Sequence, residues 1–254
     1  MDKVKNLNNH SILLLSAGMG RRLGSLGKKH PKCLLKINNK TLIEQIIISL
    51  KKRNAKTISI IVGYKSAMLI NFINKLKLKD IKINFIKIKG YQRYGHSYSW
   101  FHFKNKWLKE KKPLILMHTD IFFDIRFLDN ILKSKKANII GIKSKKNHIF
   151  KKQSLVVEVN KNNQIKKINH LRKITNPQGE IIGINKLSAK TTRNIFNFMD
   201  RFFNHKTKLL SWESLINNYL EKNEDKIFVL KKQNFSWINI NTFGDYLKAK
   251  KLKI

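Results

Sequence analysis

The segment Leu14-Leu15-Ser16-Ala17-Gly18-Met19-Gly20-Arg21-Arg22-Leu23 places an apolar run directly before small residues, two glycines and two arginines. A strand ending this way brings backbone N–H groups close to a phosphate chain, because glycine allows the turn and removes the side chain from its path. Arg22, and Lys32 in Pro31-Lys32-Cys33-Leu34-Leu35, are then available to neutralise phosphates. Neither the Walker pattern nor the dinucleotide fingerprint is present: no Gly-Lys-Ser/Thr follows the glycines, and no third glycine stands at the required spacing. An ordinary strand-to-helix turn uses glycines in the same way, so this segment alone leaves both readings open.

Three further clusters carry chemistry-bearing side chains. Asp120 follows the apolar run 114–117 and His118-Thr119, where ligands of open α/β sheets bind, beyond the carboxyl ends of the strands. A helix N-cap is the other reading, although Asp124 would also serve as that cap. Tyr91-Gln92-Arg93-Tyr94-Gly95-His96-Ser97-Tyr98-Ser99 offers aromatic and hydroxyl groups before a helical stretch, and its tyrosines would equally cap and pack that helix. Trp237-Ile238-Asn239-Ile240-Asn241-Thr242 closes the series. No compelling Ser/His/Asp triad or pair of carboxylates stands out; His96 and His118 are the histidines nearest these clusters.

The elements that must position these residues alternate between two periods. Apolar runs of strand length at 12–16, 58–62, 83–88 and 114–117 are interleaved with segments of helical period at 41–53, 66–76 and 98–108. That alternation predicts an α/β domain with a largely parallel sheet. In 41–53 the apolar residues Leu42, Ile43, Ile46, Ile47 and Leu50 make one helix face, with Thr41 and Glu44 spaced as a capping box. Farther on, a short helical stretch from Asp129 precedes a strand at 137–142. Lys161-Asn162-Asn163 reads as the turn of a hairpin between 155–159 and 165–169. A strand at 181–187, helices at 191–203 and 212–220, a strand pair of 227–230 with 236–240, and a helix from Thr242 complete the chain. No repeat or linker divides it, so residues 1–254 are read as a single domain.

Strand, Gly-x-Gly-x-Arg, Pro-Lys-x-Leu, then a helix opening Lys40-Thr41-Leu42-Ile43-Glu44 resembles the nucleotidyltransferase superfamily, which includes sugar-phosphate nucleotidyltransferases and CTP:phosphocholine cytidylyltransferases. The resemblance runs from about residue 12 to about 247. It implies a three-layer αβα, Rossmann-like (GT-A-like) fold with a mixed, mostly parallel central sheet. The expected reaction is transfer of NMP, with CMP as first choice, from a nucleoside triphosphate to a sugar phosphate or phosphocholine-like acceptor, as in nucleotide-sugar biosynthesis, with Mg²⁺ as cofactor.

By the same resemblance, Ser16, Ala17, Gly18, Met19, Gly20, Arg22 and Lys32 wrap the triphosphate, Arg22 and Lys32 in catalytic roles, and Tyr94 and Ser99 border the base. Asp120 and Asn241 fall on the metal-ligating positions, and Lys173, Glu180 and Trp237 on the acceptor side. Departures are visible. Arg21 replaces a Ser or Thr, Gly95-His96 replaces an Asn-Ser pair, and Asn241 replaces the second metal-ligating aspartate. An asparagine keeps a carbonyl oxygen but brings no charge, so weaker metal affinity is expected.

Composition bounds the alternatives. The 54 Lys+Arg against 15 Asp+Glu leave a net charge of +39, a field that attracts polyanions. Only eight of those cations are arginines, and the lysines are spread along the chain together with abundant Ile and Asn, all encoded by A/T-rich codons. The charge is therefore read mainly as compositional bias, with nonspecific polyanion binding expected at low salt. A nucleic-acid-binding protein and a catalytically silent nucleotide-binding relative are the other function classes. Asp-x-Asp, the usual mark of glycosyltransferases with a related fold, is absent at Thr119-Asp120-Ile121-Phe122. The single cysteine, Cys33, excludes an intrachain disulfide and fits a reducing compartment. Lys3 and Lys5 before the short apolar run 12–15 are not read as a leader, and no run reaches the roughly 18 apolar residues of a membrane span. A cytoplasmic enzyme is expected; the sequence is silent on oligomeric state.

Overall fold

The structure, a computed structural model, describes residues 6–145, 148–232 and 235–252; Lys3 and Lys5 lie outside them. The N-terminal half runs β1 (Ser11–Ser16), α1 (Ser25–Lys29), β2 (Lys36–Ile37), β3 (Lys40–Thr41), α2 (Leu42–Lys52), β4 (Thr57–Val62), α3 (Ser66–Lys75) and β5 (Lys82–Lys87). It continues with α4 (His96–Phe101), α5 (Lys104–Glu110), β6 (Leu114–His118), β7 (Ile121–Phe123) and α6 (Arg126–Lys133). The remainder is β8 (Ile139–Ser144), β9 (Leu155–Val159), β10 (Ile165–His170), β11 (Gly179–Leu187), α7 (Ala189–Phe202), α8 (Trp212–Lys222), β12 (Phe228–Lys232), β13 (Trp237–Asn239) and α9 (Phe243–Lys251).

A nine-stranded sheet carries the order β10-β9-β11-β6-β1-β4-β5, with β8 against β11 and β12 against β8. The pairings set β1, β4, β5, β6, β8, β9 and β12 in one direction, with β10 and β11 opposed. The sheet is thus mixed and mostly parallel. Alternation of side chains along a strand divides the core into two layers. Ile12 and Leu14 of β1 join Ile43, Ile46, Ile47 and Leu50 of α2 and apolar residues of α3 and α6 on one face. Leu13 joins Trp100, Phe103, Trp107, Phe196, Trp212 and Tyr219 on the other. Helices therefore cover both faces, giving the α/β/α layering.

The expected Thr41/Glu44 capping box is formed: Glu44 N donates to Thr41 Oγ1 at 3.2 Å, and Thr41 N to Glu44 Oε2 at 3.2 Å. The hairpin turn also stands where the sequence put it, between antiparallel β9 and β10, with Asn163 at φ +60°. Two expectations need correction. The stretch read as one helix over 98–108 is two, α4 and α5, separated at His102 and Phe103. The two C-terminal strands do not pair with each other. β12 lies parallel to β8, and β13 lies antiparallel to β7, with Trp237 opposite Phe123 and Asn239 opposite Ile121. The reason is that β7, only three residues long, carries too little sequence pattern to be seen, yet it offers β13 a partner beside Asp120.

A third, smaller core makes that pairing consequential. Leu23, Leu35, Ile37, Leu42, Phe122, Ile240 and Ala249 pack together, and four of them adjoin or lie near chemistry-bearing residues: Leu23 follows Arg22, Leu35 is near Lys32, Phe122 near Asp120, and Ile240 precedes Asn241. Apolar burial at roughly 25 cal/mol per Å² thus pins the glycine loop, the end of β6 and the start of α9 against one another. Among the described residues no helix is long and apolar enough to cross a membrane.

Candidate functional site

β1, β4 and β6 are adjacent and parallel, so their carboxyl ends open onto one side of the sheet. There Ser16 Oγ donates to Thr119 Oγ1 at 3.0 Å, and Thr119 Oγ1 donates to the Leu15 carbonyl at 2.9 Å, joining the ends of β1 and β6. The chain after Ser16 turns at Gly20, whose φ of +59° favours glycine; the 3-10 turn at Arg21–Leu23 then presents two arginines.

The resulting cavity, of about 450 Å³, is lined by Ser16, Ala17, Gly18, Met19, Gly20, Arg22, Lys32, Tyr94, Ser99, Asp120 and Asn241. Every residue assigned by resemblance to the triphosphate, the base and the metal is in that lining, although the segments come from five parts of the chain. Arg21, the departure in the loop, also lines it and donates to Met19 Sδ at 3.5 Å.

The glycine in the Gly95-His96 departure has a physical cause. The loop 208–211 presses against the start of α4: Gly95 N donates to the Lys208 carbonyl at 2.9 Å, and Ser97 Oγ to the Leu210 carbonyl at 2.8 Å. A Cβ on residue 95 would lie 2.0 Å from the Leu210 oxygen. Gly95→Ala is accordingly expected to destabilise the fold by about 1–3 kcal/mol, read as a lowered thermal midpoint; an unchanged midpoint would show that the 208–211 loop yields freely.

Charge is concentrated at the back of the cavity. Lys32 Nζ is 2.6 Å from Asp120 Oδ2 and donates to Asn241 Oδ1 at 2.9 Å; Arg22 donates to the same Asn241 oxygen at 3.0 Å. Burial acts to raise the Asp120 carboxyl, but the Lys32 ammonium and the His118 ring outweigh it and hold the group well below the usual carboxylate range. Its other oxygen, Oδ1, is buried without a hydrogen-bond partner, and the nearby His118 Nδ1, at 3.7 Å, is too far for one.

His118 is in turn held by Trp212, whose indole N–H donates to Nε2 at 2.5 Å. Burial lowers the His118 imidazole, Asp120 raises it by more, and the balance lies above the ordinary value; the Trp212 donor opposes that balance, because it requires a bare Nε2. His96, edge-on to His118 at 5.4 Å between ring centres, is lowered by burial and by His118.

A second cavity, of about 370 Å³, opens on the far side of the same charged group. Both cavities are lined by Arg22, His96, His118, Asp120, Ser211 and Asn241. Glu180 and Trp237, expected on the acceptor side, line the second one. His148 lies 2.6 Å from Glu180 Oε2, and the Trp237 indole donates to the Ile182 carbonyl at 3.2 Å. Lys173 does not belong with them. It is exposed in the 3-10 turn after β10 and is absent from the lining of either cavity, because that turn carries residues 171–173 out to solvent.

The sequence reading missed Glu213, Asn239, His148, Lys151 and Lys248, all on the second cavity. Glu213 in the first turn of α8 reads locally as an acid complementing the helix dipole, and nothing local says that it faces inward. Asn241 itself is fixed by the cap of α9: Thr242 and Asp245 form a capping box, and Asn241 N donates to Asp245 Oδ2 at 3.1 Å. Lys151, on the second cavity, pairs with the same Asp245.

Comparison with known proteins places these observations. The chain is 32% identical over 135 residues to the CTP:phosphoglutamine cytidylyltransferase of Campylobacter jejuni, a match covering 52% of each chain, so the chain spans about half the length of that curated relative. Its fold is similar to the solved structure of CTP:phosphocholine cytidylyltransferase from Streptococcus pneumoniae, with a TM-score of 0.76, 20% identity, and coverage of 96% of this chain and 98% of that one. It is also similar to the inositol-1-phosphate CTP transferase from T. maritima, with a TM-score of 0.77, 20% identity and 95% of both chains covered. The chain belongs to the family described as Domain of unknown function (DUF6564), which matches residues 28–253, and it has the fold of the nucleotidyltransferase superfamily.

Proposed function

We propose that the protein is a nucleotidyltransferase that moves CMP from CTP to a small phosphorylated acceptor and releases pyrophosphate. The observation that carries this reading is the junction of two cavities at Arg22, Asp120 and Asn241. Two reactants that must meet at one phosphorus need two sites opening on one charged group, and holding them there supplies much of the rate. The names of the relatives, acting with CTP on phosphoglutamine, phosphocholine and inositol-1-phosphate, support cytidine and a phosphorylated acceptor.

In this reading a phosphate oxygen of the acceptor attacks the α-phosphorus in line. The bond from that phosphorus to the bridging oxygen breaks, and pyrophosphate leaves with the electron pair. The acceptor needs no general base, since a phosphate monoester with a second pKa of about 6 is already anionic. Lys32 and Arg22 would neutralise the triphosphate and the charge building on the leaving group.

The residues also fit a Mg²⁺ ion. Among the described residues no three of His, Cys, Asp and Glu gather into a metal cluster, but Mg²⁺ with nucleotide commonly takes one or two protein oxygens plus phosphates and water. The buried, unpartnered Asp120 Oδ1 is one such oxygen, and the Asn241 carbonyl would be the other. When bound, the ion neutralises phosphate charge and favours departure of pyrophosphate.

The test is thermal stabilisation by ATP, CTP, GTP and UTP, with and without Mg²⁺, at salt high enough to suppress nonspecific phosphate binding. CTP is expected to stabilise well above the others, and Arg22→Ala to abolish the difference. Equal, small shifts with all four would favour a polyanion binder. Asn241→Asp is expected to lower the Mg²⁺ concentration that half-saturates the CTP shift; an unchanged Mg²⁺ dependence would remove residue 241 from the metal site.

A further inference from the structure

The second cavity contains a carboxylate with one oxygen that no hydrogen bond reaches, although its charge acts on the His118 and His96 rings. Glu213 is 5% exposed, lines the cavity, and has Oε2 buried without a hydrogen-bond partner. No Lys or Arg among the described residues forms an ion pair with it, although the chain carries 54 such cations. A place in the first turn of α8 accounts for an acid at the surface, but not for one buried with a bare oxygen, which carries a free-energy cost.

Asn239, on β13, repeats the pattern. Its Oδ1 is also buried and unpartnered, and the residue lines the same cavity. Both unanswered atoms are hydrogen-bond acceptors, so the missing group is a donor. Lys248 lines the same cavity, as do Lys151, paired with Asp245, and Arg22, bonded to Asn241, so the lining holds cations that face a phosphate as well as acceptors for a donor.

Resting on the transfer reading above, we propose that the acceptor carries an ammonium group with N–H bonds, received by Glu213 Oε2 and Asn239 Oδ1, and that the substrate class is the aminoalkyl phosphates. A neutral polyol phosphate would meet the two oxygens but bring Glu213 no positive charge beyond the His118 and His96 rings that already feel it. A quaternary ammonium would answer the charge but has no N–H to give. Quaternary sites typically surround the cation with several aromatic faces, whereas among the described residues Trp237 alone of Trp, Tyr and Phe lines this cavity.

The experiment is isothermal titration at physiological salt with three probes of similar size: 2-aminoethyl phosphate, propyl phosphate and 2-(trimethylammonio)ethyl phosphate. Each is titrated with and without a nonhydrolysable CTP analogue, whose own titration is recorded separately. The amine is expected to bind about tenfold more tightly than the propyl ester, and the trimethylated probe no better than the propyl ester. In Glu213→Gln that preference is expected to fall to about threefold or less, and Asn239→Leu to narrow it as well; binding of the CTP analogue to each variant reports that it is folded. Propyl phosphate binding within threefold of the amine, the trimethylated probe binding tightest, no probe binding at all, or a preference unchanged in both variants would each overturn the proposal. If the CTP analogue binds while the amine preference is missing, this inference falls and the transfer reading stands. If the analogue does not bind, the transfer reading falls with it.

Discussion

Lys32→Ala is expected to lower the rate of pyrophosphate release from CTP by about 10²–10³-fold, the loss typical of removing one preorganised charge from a transition state. Lys32 bridges Asp120 and Asn241, and its flexible stem lets the ammonium turn toward phosphate oxygens when they arrive. Because the leaving pyrophosphate gains charge as the bond breaks, the loss should fall mainly on kcat, with KM for CTP changing less. Lys32→Arg should rescue poorly, since a planar guanidinium cannot reproduce a compact point charge between two oxygens. Steady-state kinetics with saturating acceptor checks this, and a loss under fivefold would take Lys32 out of the reaction centre.

Asp120→Asn is expected to have two effects of different origin. Activity should fall by about 10³-fold and no longer respond to Mg²⁺, because the variant loses the carboxylate proposed to hold the ion. Stability should also fall, by about 1–2 kcal/mol, because Lys32 loses its counter-charge in a chain of net charge +39. The pH dependence separates the second effect from general disruption. Asp120 has a folded-state pKa depressed below the ordinary 3.8, so its contribution is fully present above that value and is lost as pH falls toward the depressed one. The gap in thermal midpoint between the native protein and Asp120→Asn should therefore widen as pH falls through the raised His118 value, whose cation Asp120 stabilises, and shrink below pH 4 as Asp120 itself protonates. A gap that does not shrink between pH 4 and pH 3 would mean that the Asp120 charge contributes nothing to it.

How far the sequence reached depends on the range of the interaction involved. The helix face of Leu42 to Leu50, the Thr41/Glu44 cap and the Asn163 turn were legible because their causes lie within a few residues: helical periodicity, reciprocal capping and a left-handed turn position. The glycine loop was legible as a tight turn at the end of β1 because its demands on φ and on side-chain size are local. Lys173 was misplaced because a lysine in a lysine-rich chain carries no signal about which way its turn points.

Pairing of β13 with β7, in contrast, depends on segments more than a hundred residues apart, and a three-residue strand has almost no pattern of its own. The same distance hides Glu213. Its local setting, the first turn of a helix, explains an acid completely, and only the packing of α8 against the sheet turns it into a buried carboxylate in a cavity. Gly95 lies between the two cases: the sequence showed the departure, and the Leu210 carbonyl supplies its cause.

By itself, then, the sequence determined the alternation of strands and helices and the glycine turn after β1, because each follows from residue type and near-neighbour spacing, and its resemblance to a known superfamily singled out Arg22, Lys32 and Asp120 as candidates. Only the tertiary structure decided that Asn241 shares Lys32 with Asp120, that two cavities meet there, and that Glu213 and Asn239 face the second. Those facts arise from burial of Leu23, Leu35, Phe122 and Ile240 in one small core, and apolar burial is non-directional: it brings distant segments together without leaving a mark in any one of them.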